Sequence, residues 1–297
     1  MIAGWCDSVV VASDEEITPW LGPRSPARHA RDHQRYASDL SEAEWALIAP
    51  ALPLPSGRGR PRTTDLRAVV NALLYILSTG CQWRALPRSE FPPRSTVQRY
   101  FYRWRREGLW ARLNRQLVGR ARQRLGRTPQ PSLAIIDSQS VATTESGGPR
   151  GLDAAKRIKG RKRHIVTDTQ GFLLESLVHP ADLQDNHGAV PLLRALHGSR
   201  PTLHHVLADR VYRGRKLLGA LADLGSWTIQ IVQRPAGIKG FQLLPRRWVV
   251  ERSFAWFGRN RRLAKDFEAS TESAQAWLIL ASIKLLTRRI ARTQTPL

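Results

Sequence analysis

Apolar side chains recur every three to four positions from about residue 36 onwards, which predicts a series of amphipathic helices. The first helix opens with a capping box, in which Ser41 is the cap and Glu44 follows three positions later. The next is predicted to run from a cap at Thr63 or Thr64 to a stop at Gly80, because glycine readily takes the left-handed conformation that ends helices. The first half of the chain is therefore predicted to be helical.

A third helix, predicted to begin at the cap Ser95, has two contrasting faces. Its apolar stripe consists of Val97, Phe101 and Trp104. The basic side chains about 200° away around the helix are those of Arg99, Arg103 and Arg106. This layout is typical of the reading helix of a helix-turn-helix DNA-binding domain, although a solvated surface helix has the same pattern. A further basic helix contains Leu109, Leu113, Leu117 and Leu125.

Two stretches without regular periodicity flank the first helix. Residues 1–33 contain several prolines and no sustained period, so we expect a disordered N-terminal extension. The loop at residues 56–62 is rich in glycine, and its basic side chains are those of Arg58, Arg60 and Arg62. Such a loop often follows a phosphate backbone, although a solvated linker has the same composition. A proline-containing linker near residue 130 ends the predicted helical DNA-binding domain, residues 34–130.

The periodicity changes after Pro131, where short apolar runs replace the helical pattern. The predicted strands lie at residues 133–141, 161–169, 172–178, 204–210 and 228–232. The second and third flank Gln170 and Gly171, which predicts an antiparallel hairpin. The predicted helices lie at residues 185–197, 215–224 and 271–292 and around Glu251. Residues 131–297 are therefore predicted to form a mixed α/β sheet flanked by helices, with three antiparallel strands first.

The composition adds a strong positive charge to this picture. Lys and Arg number 47 against 24 Asp and Glu, which gives a formal net charge of +23. This balance indicates a polyanionic partner, with DNA or RNA favoured over an anionic membrane. Cys6 and Cys81 have neither zinc-site nor disulfide spacing, which favours a reducing cytosol. Since the sequence contains no membrane-length apolar run and no signal-peptide pattern, we expect a cytoplasmic protein that binds no membrane.

Three acidic residues stand out against this basic background. Asp137 and Asp209 each lie where an apolar run ends, and Glu251 lies beside the apolar stripe of its own helix. That stripe consists of Val250, Phe254 and Phe257. If the two strands are neighbours, both aspartates leave the sheet at the same edge, and the helix can bring Glu251 to them. Converging carboxylates repel one another unless a divalent cation neutralises them.

Two interpretations of these acids stay open from the residues alone. Hard oxygen ligands with open positions suit Mg²⁺ or Mn²⁺, and two such ions about 4 Å apart catalyse in-line phosphoryl transfer. In the structural alternative, the aspartates cap loops and Glu251 forms an ion pair with Arg247 or Arg252.

Four segments resemble insertion-sequence transposases of the DDE class, in the insertion-sequence-five family. They are "IDSQSV" at residues 136–141, "KGRKRHIVTDTQGF" at 159–172, "VLADRVY" at 206–212 and "LPRRWVVERSFAWFGRNRRLAKDFE" at 244–268. The helical segment at residues 39–87 is similar to the N-terminal domain of that family, so the resemblance covers about residues 35–290. It implies a ribonuclease-H-like core with Asp137, Asp209 and Glu251 as the catalytic, metal-binding triad. It also implies two Mg²⁺ or Mn²⁺ ions and no small-molecule substrate.

The resemblance further implies a DNA transposase that binds the terminal inverted repeats of a mobile element and catalyses cleavage and strand transfer. The basic residues near the triad that are expected to face phosphate are Lys159, Arg161, Lys162, His164, Arg247, Arg252, Arg259 and Lys265. Synapsis of two DNA ends implies a homo-oligomer. Val211, Arg213 and Leu244 depart from the family pattern. These departures leave open an inactive copy that acts as a sequence-specific DNA-binding repressor, and a non-transposing nuclease on the same fold is the other alternative.

Overall fold

The structure, a computed structural model, describes residues 34–55, 61–213, 215–224, 227–232 and 247–292. Its helices are α1 (Glu42–Ile48), α2 (Leu66–Thr79), α3 (Arg94–Arg106), α4 (Leu109–Arg124), α5 (Asp185–Ser199), α6 (Arg215–Ala220), α7 (Trp248–Gly258) and α8 (Thr271–Arg292). Its strands are β1 (Leu133–Ala142), β2 (Gly151–Asp153), β3 (Ile158–Asp168), β4 (Leu173–Pro180), β5 (His205–Ala208) and β6 (Thr228–Ile231). These elements follow the predicted order and type, except for β2, which is too short to show an alternation of apolar and polar residues.

Two of the predicted helix boundaries are confirmed. Ser41 Oγ accepts a hydrogen bond from the Glu44 N–H at 3.2 Å, and the Glu44 side chain accepts one from the Ser41 N–H at 3.0 Å. Gly80 ends α2 in the left-handed conformation, with a φ of 70°. A Cβ at this position would lie 3.0 Å from the Cβ of Arg261, so both the backbone and the available space favour glycine.

The predicted caps that are wrong are Thr63, Thr64 and Ser95. Helix α2 is capped by Asp65, whose carboxylate accepts a hydrogen bond from the Arg67 N–H at 2.8 Å. Helix α3 already begins at Arg94, because the Pro93 carbonyl accepts a hydrogen bond from the Val97 N–H at 3.1 Å. The backbone is therefore helical at the position where a capping side chain needs extended dihedral angles.

One mixed sheet carries the described strands in the order β2-β3-β1-β5-β6, with β4 also paired to β3. Strands β1 and β4 run antiparallel to β3, whereas β5 runs parallel to both β1 and β6. The predicted hairpin between β3 and β4 is confirmed, with Gly171 in the turn at a φ of 82°. The parallel pairing of β1 with β5 decides where the candidate acids meet.

The helical segment and the sheet share their hydrophobic core. One cluster of buried apolar residues extends from Leu40 to Ile290. Helix α8 packs against α1, α2, α3, α4 and β4, and its Trp277 stacks on Phe101 of α3 with ring centroids 4.6 Å apart. The predicted boundary near residue 130 falls between α4 and β1, and the division into two functional domains stays a prediction. None of the described helices is both long and apolar enough to span a membrane.

Candidate active site

Asp137 lies on β1, and Asp209 directly follows the neighbouring strand β5. Strands β1 and β5 pair in parallel up to Ile135 opposite Leu207, and each of the two aspartates comes two residues after this last pair. Asp209 directly follows β5, as predicted. Asp137 lies inside β1, which agrees with the predicted strand at residues 133–141. The expectation that it leaves the sheet is wrong, because β3 continues to pair with β1 as far as Ala142 after the β5 pairing has stopped.

Helix α7 brings Arg247 and Glu251 to the same place. Its buried side contains the predicted stripe of Val250, Phe254 and Phe257. The Glu251 side chain is 56% exposed. The Arg247 guanidinium lies between two of the acids, with Nη2 3.2 Å from Asp209 Oδ2 and Nε 3.9 Å from Glu251 Oε1. The structural alternative for Glu251 is thus partly realised, but Arg247 shares its charge with Asp209.

The electrostatics of Asp137 reflect this crowding of acids. The pKa of its carboxyl group is raised to about 6, first by burial and then by the negative charges of Asp209 and Glu251. The Ser138 N–H, which donates to Asp137 Oδ1 at 2.7 Å, and the charge of Arg247 oppose this rise. A divalent cation would stabilise such a group of carboxylates, so the donor set fits Mg²⁺ or Mn²⁺ chemically. Over the described part of the chain, no three His, Cys, Asp or Glu side chains are already arranged to hold an ion.

A second polar cluster, which the sequence did not predict, lies next to Asp137. Asp185, the first residue of α5, accepts hydrogen bonds at Oδ1 from Ser138 Oγ at 2.9 Å and from His164 Nε2 at 3.2 Å. The ammonium of Lys162 lies 3.2 Å from the same oxygen. Burial alone would raise the pKa of Asp185, but these partners hold it well below its ordinary value. The sequence signal for this cluster is weak, because an aspartate in the first turn of a helix is common.

Tyr212 lies beside the acids and was also missed. It is buried in the turn after Asp209, whose Oδ1 accepts a hydrogen bond from the Val211 N–H at 2.9 Å. Burial and the charges of Asp137, Asp185 and Asp209 raise the pKa of Tyr212 well above its ordinary value. Its hydroxyl is therefore a proton-bearing group among carboxylates at neutral pH.

The predicted phosphate contacts are exposed or buried side chains, except for Arg247 and Arg252, which are partly exposed. The exposed ones are Arg62, Arg99, Arg103, Arg106, Lys159, Arg259 and Lys265. Arg58 and Arg60 lie outside the described residues, as does Leu244. Arg161, Lys162 and His164 are buried, which corrects the expectation that they face phosphate.

Two arginines show why a basic sequence run is not by itself a DNA surface. Arg161 is fully buried, and its guanidinium donates to the carbonyls of Pro149 and Glu268 at 2.7 and 2.8 Å. Arg252 lies half-buried between the rings of Trp248 and Trp256, with Cζ 4.3 and 4.4 Å from the ring centroids. In both cases groups of the protein itself bind the guanidinium, in the place that a phosphate would otherwise take.

An open cavity of about 530 Å³ lies beyond the end of β1. It is lined by Thr143, Thr144, Glu145, Arg150, Lys159 and Lys265. Its three cationic side chains and two hydroxyl groups against one carboxylate favour an anionic ligand. Thr143 lies six residues after Asp137, which corresponds to about 20 Å of extended chain.

Comparison with known proteins gives consistent matches for both parts of the chain. Residues 128–286 match the family model "Transposase DDE domain", and residues 40–114 match "Putative transposase of IS4/5 family". The chain is 32% identical over 170 residues to "Putative transposase for insertion sequence element IS402" of Burkholderia cepacia, covering 55% of this chain and 78% of that protein. It is 34% identical over 118 residues to "Insertion element IS402 uncharacterized 16.2 kDa protein" of the same organism, covering 38% and 78%. No solved structure matches the chain significantly.

Proposed function

Because the chain belongs to the family of DDE transposases, we propose that Asp137, Asp209 and Glu251 carry its DNA cleavage and strand transfer. Membership of this family makes the protein a DNA transposase with a ribonuclease-H-like core, as predicted. The pairing of β1 with β5 supports the residue assignment, because Asp137 and Asp209 each come two residues after its last pair, while Arg247 lies between Asp209 and Glu251. A raised pKa next to two further acids is typical of a functional site.

Domains of this family generally use divalent metal ions. We assign the three acids as ligands of two Mg²⁺ or Mn²⁺ ions. Two ions held by these acids would supply the chemistry of phosphoryl transfer, a lower pKa for the attacking water or 3′-hydroxyl and stabilisation of the leaving oxygen. Asp209 is preset for this role, since the Val211 N–H fixes one carboxylate oxygen and leaves the other to Arg247. We expect Arg247 to exchange its carboxylate partners for a DNA phosphate when the site is loaded.

The protein's DNA partner is double-stranded, and we propose that exposed basic side chains outside the triad hold it. Helix α3 turns its exposed arginines, listed above, away from the core side formed by Val97, Phe101 and Trp104. This separation of an apolar and a basic face supports contact with the terminal inverted repeats. The finer assignments that we propose are membership of the insertion-sequence-five subfamily, a homo-oligomer in the synaptic complex, and a cytoplasmic location on the nucleoid.

The basic cavity beyond β1 extends the proposed DNA path. Alternate residues of a strand face the same side, so Asp137 and Val141 share one face of β1 and Thr143 continues that direction. Arg150, Lys159 and Lys265 therefore lie along the strand from the candidate triad, where a continuing phosphate backbone would pass.

A strand-transfer assay with DNA ends that carry the flanking inverted repeats, and with Mg²⁺, tests this function. We expect cleavage at the repeat ends and joining to a target duplex. Cleavage without joining would identify the non-transposing nuclease, and binding without cleavage would identify the repressor.

Replacing Arg99 and Arg103 with glutamine is expected to weaken DNA binding and to flatten its salt dependence. Each lost phosphate contact should reduce the slope of log affinity against log salt concentration by about 1. Fluorescence anisotropy at several salt concentrations measures this slope. Arg194→Gln is the control, because Arg194 is an exposed arginine on α5 that pairs with Asp223 at 2.9 Å. If the α3 variant and the control have the same slope of log affinity against log salt concentration, α3 is a solvated surface helix and does not contact DNA.

A further inference from the structure

The Asp185 cluster, which consists of Asp185, Ser138, Lys162 and His164, lies directly behind Asp137. In the pairing of β1 with β3, Ser138 is opposite His164. The side chains of cross-strand partners share one face of the sheet, whereas Asp137, the residue before Ser138, points to the other face. Asp185 reaches this rear face from the start of α5. The cluster is therefore separated from the Asp137 carboxylate only by the backbone of β1.

The close approach of α5 to the sheet requires a glycine. A Cβ at Gly188 would lie 2.5 Å from His179 Nε2 and 2.9 Å from His164 Cε1. With any larger residue, either these two imidazole rings or the first turn of α5 that carries Asp185 would have to move. The sequence thus holds the Asp185 carboxylate at hydrogen-bonding distance from β1.

Ser138 connects the cluster to the candidate active site. Its N–H donates to Asp137 Oδ1 at 2.7 Å, while its hydroxyl donates to Asp185 Oδ1 at 2.9 Å. The two bonds fix the residue on both sides of the strand. We propose that Asp185 is a positioning residue, which acts through Ser138 to hold the Asp137 carboxylate in the orientation needed to bind a divalent cation. This inference rests on the proposed function of Asp137.

Attachment of α5 to the sheet does not by itself account for the cluster. The apolar residues of α5 already pack into the core: Ala189, Leu192, Leu193 and Leu196. Apolar groups of similar volume often stabilise a fold as well as a buried ion pair does, so stability alone does not explain why Lys162 and Asp185 lie here. Groups that orient metal ligands, in contrast, commonly change metal affinity by about 10- to 100-fold when they are removed.

The chain contains a matched control for this arrangement. Ser140 lies two residues after Ser138 on the same face of β1, and its hydroxyl donates to Asp153 Oδ2 at 2.5 Å. Asp153 also lies 3.9 Å from Lys162 Nζ. The two serine–aspartate pairs therefore share a strand, a sheet face and a lysine, but only Ser138 is bonded to a candidate metal ligand.

The test compares Ser138→Ala, Ser138→Thr and Ser140→Ala in the full-length, DNA-free protein. Electron paramagnetic resonance measures Mn²⁺ binding directly, and circular dichroism confirms folding. We expect Ser138→Ala to weaken Mn²⁺ binding about tenfold, Ser138→Thr to restore it, and Ser140→Ala to change it by less than about twofold. Asp185→Asn should weaken Mn²⁺ binding as much as Ser138→Ala does. The double variant Ser138→Ala/Asp185→Asn should bind Mn²⁺ no more weakly than Asp185→Asn alone, because both changes remove the same hydrogen bond between Ser138 and Asp185.

Equal Mn²⁺ affinities for Ser138→Ala and Ser140→Ala would overturn the proposal and leave the cluster a structural one. If Ser138→Ala does not fold, Asp185→Asn takes its place as the test variant and Asp153→Asn becomes the control. Asp137→Asn separates this inference from the proposed function. If Asp137→Asn joins DNA normally, the assignment of the triad is wrong. If it loses Mn²⁺ binding while Ser138→Ala and Asp185→Asn keep it, only the positioning role is wrong.

Discussion

Replacing Asp137 with asparagine is expected to abolish DNA cleavage while stabilising the protein in the absence of divalent ions. The loss of activity should be at least about 10³-fold, because a catalytic metal ion contributes several kcal/mol of charge stabilisation in the transition state. The gain in stability has a separate origin. At neutral pH the Asp137 carboxyl group is ionised although its surroundings raise its pKa to about 6. Asparagine has nearly the same shape and carries no charge.

The stabilisation should depend on pH in a defined direction. The folded state holds the Asp137 proton more tightly than the unfolded state does, since the folded pKa is about 6 and the ordinary value is 3.8. The unfolding free energy of the wild type therefore falls as the pH rises from about 4 to about 6, and it stays lower above that range. A shift of this size corresponds to roughly 2 to 3 kcal/mol. Asp137→Asn should remove this dependence.

Urea unfolding with a chelator present, at about pH 4.5 and about pH 7.5, measures the effect. Asp153→Asn is the control, because it should lower the stability at about pH 7.5, where Asp137→Asn should raise it. Burial alone would raise the pKa of Asp153, but the Ser140 hydroxyl and the Lys156 N–H lower it, so its ionised form stabilises the folded state. An Asp137→Asn variant that is less stable than the wild type at pH 7.5, or that still cleaves DNA, would contradict the assignment. Added Mg²⁺ should stabilise the wild type and not the variant.

The arrangement of the catalytic acids illustrates how far the sequence could lead. The apolar runs before Asp137 and Asp209 identified both strands, and hydrophobic periodicity placed Glu251 beside the buried side of α7. The sequence predicted a strand at residues 133–141, but it could not show that β5 stops pairing with β1 at Ile135 while β3 stays paired with it as far as Ala142. Strand pairing depends on the partner as well as on the strand's own composition.

The buried basic residues of β3 do not face DNA as predicted, for a related reason. A net charge of +23 makes any group of arginines and lysines resemble a phosphate contact. Yet β3 is paired along both edges, and residues 160–168 are buried. Arg161 and Lys162 consequently bind carbonyls and carboxylates inside the protein. Asp185 was missed because only the packing of α5 brings it to Ser138, from which it is 47 residues away in sequence.

Replacing Arg122 with leucine is expected to destabilise the fold by about 3 to 5 kcal/mol, the usual effect of removing one partner of a buried ion pair. Arg122 on α4 donates through Nη1 to Asp168 Oδ2 and through Nε to the Thr128 carbonyl at 2.8 Å. Asp168 is fully buried at the end of β3, where its other oxygen accepts hydrogen bonds from the Gln170 and Phe172 N–H groups at 2.9 Å. The pair thus joins the helical segment to the β3–β4 turn.

A double-mutant cycle with Asp168→Asn measures the coupling by urea unfolding. The double variant should be more stable than Arg122→Leu alone, because no buried charge is then left without a partner. Arg194→Leu is the control. It breaks the Arg194–Asp223 pair, whose side chains are 44% and 61% exposed, and it should cost far less stability than Arg122→Leu, because water screens an exposed pair. If Arg122→Leu and Arg194→Leu lower the free energy of unfolding by similar amounts, burial does not strengthen the Arg122–Asp168 pair.

The pH dependence of Arg122→Leu provides a second, independent check on the same pair. Burial already raises the pKa of Asp168, and the Arg122 charge is the largest influence that opposes this rise. Without Arg122 the pKa of Asp168 must rise further in the folded state. The folded variant then binds a proton more tightly than the unfolded chain does, so its stability is lost as the pH rises and regained as the pH falls. The stability difference between the wild type and Arg122→Leu should therefore become smaller as the pH falls. A difference that is constant with pH would show that it comes from lost packing and not from the unpaired carboxylate.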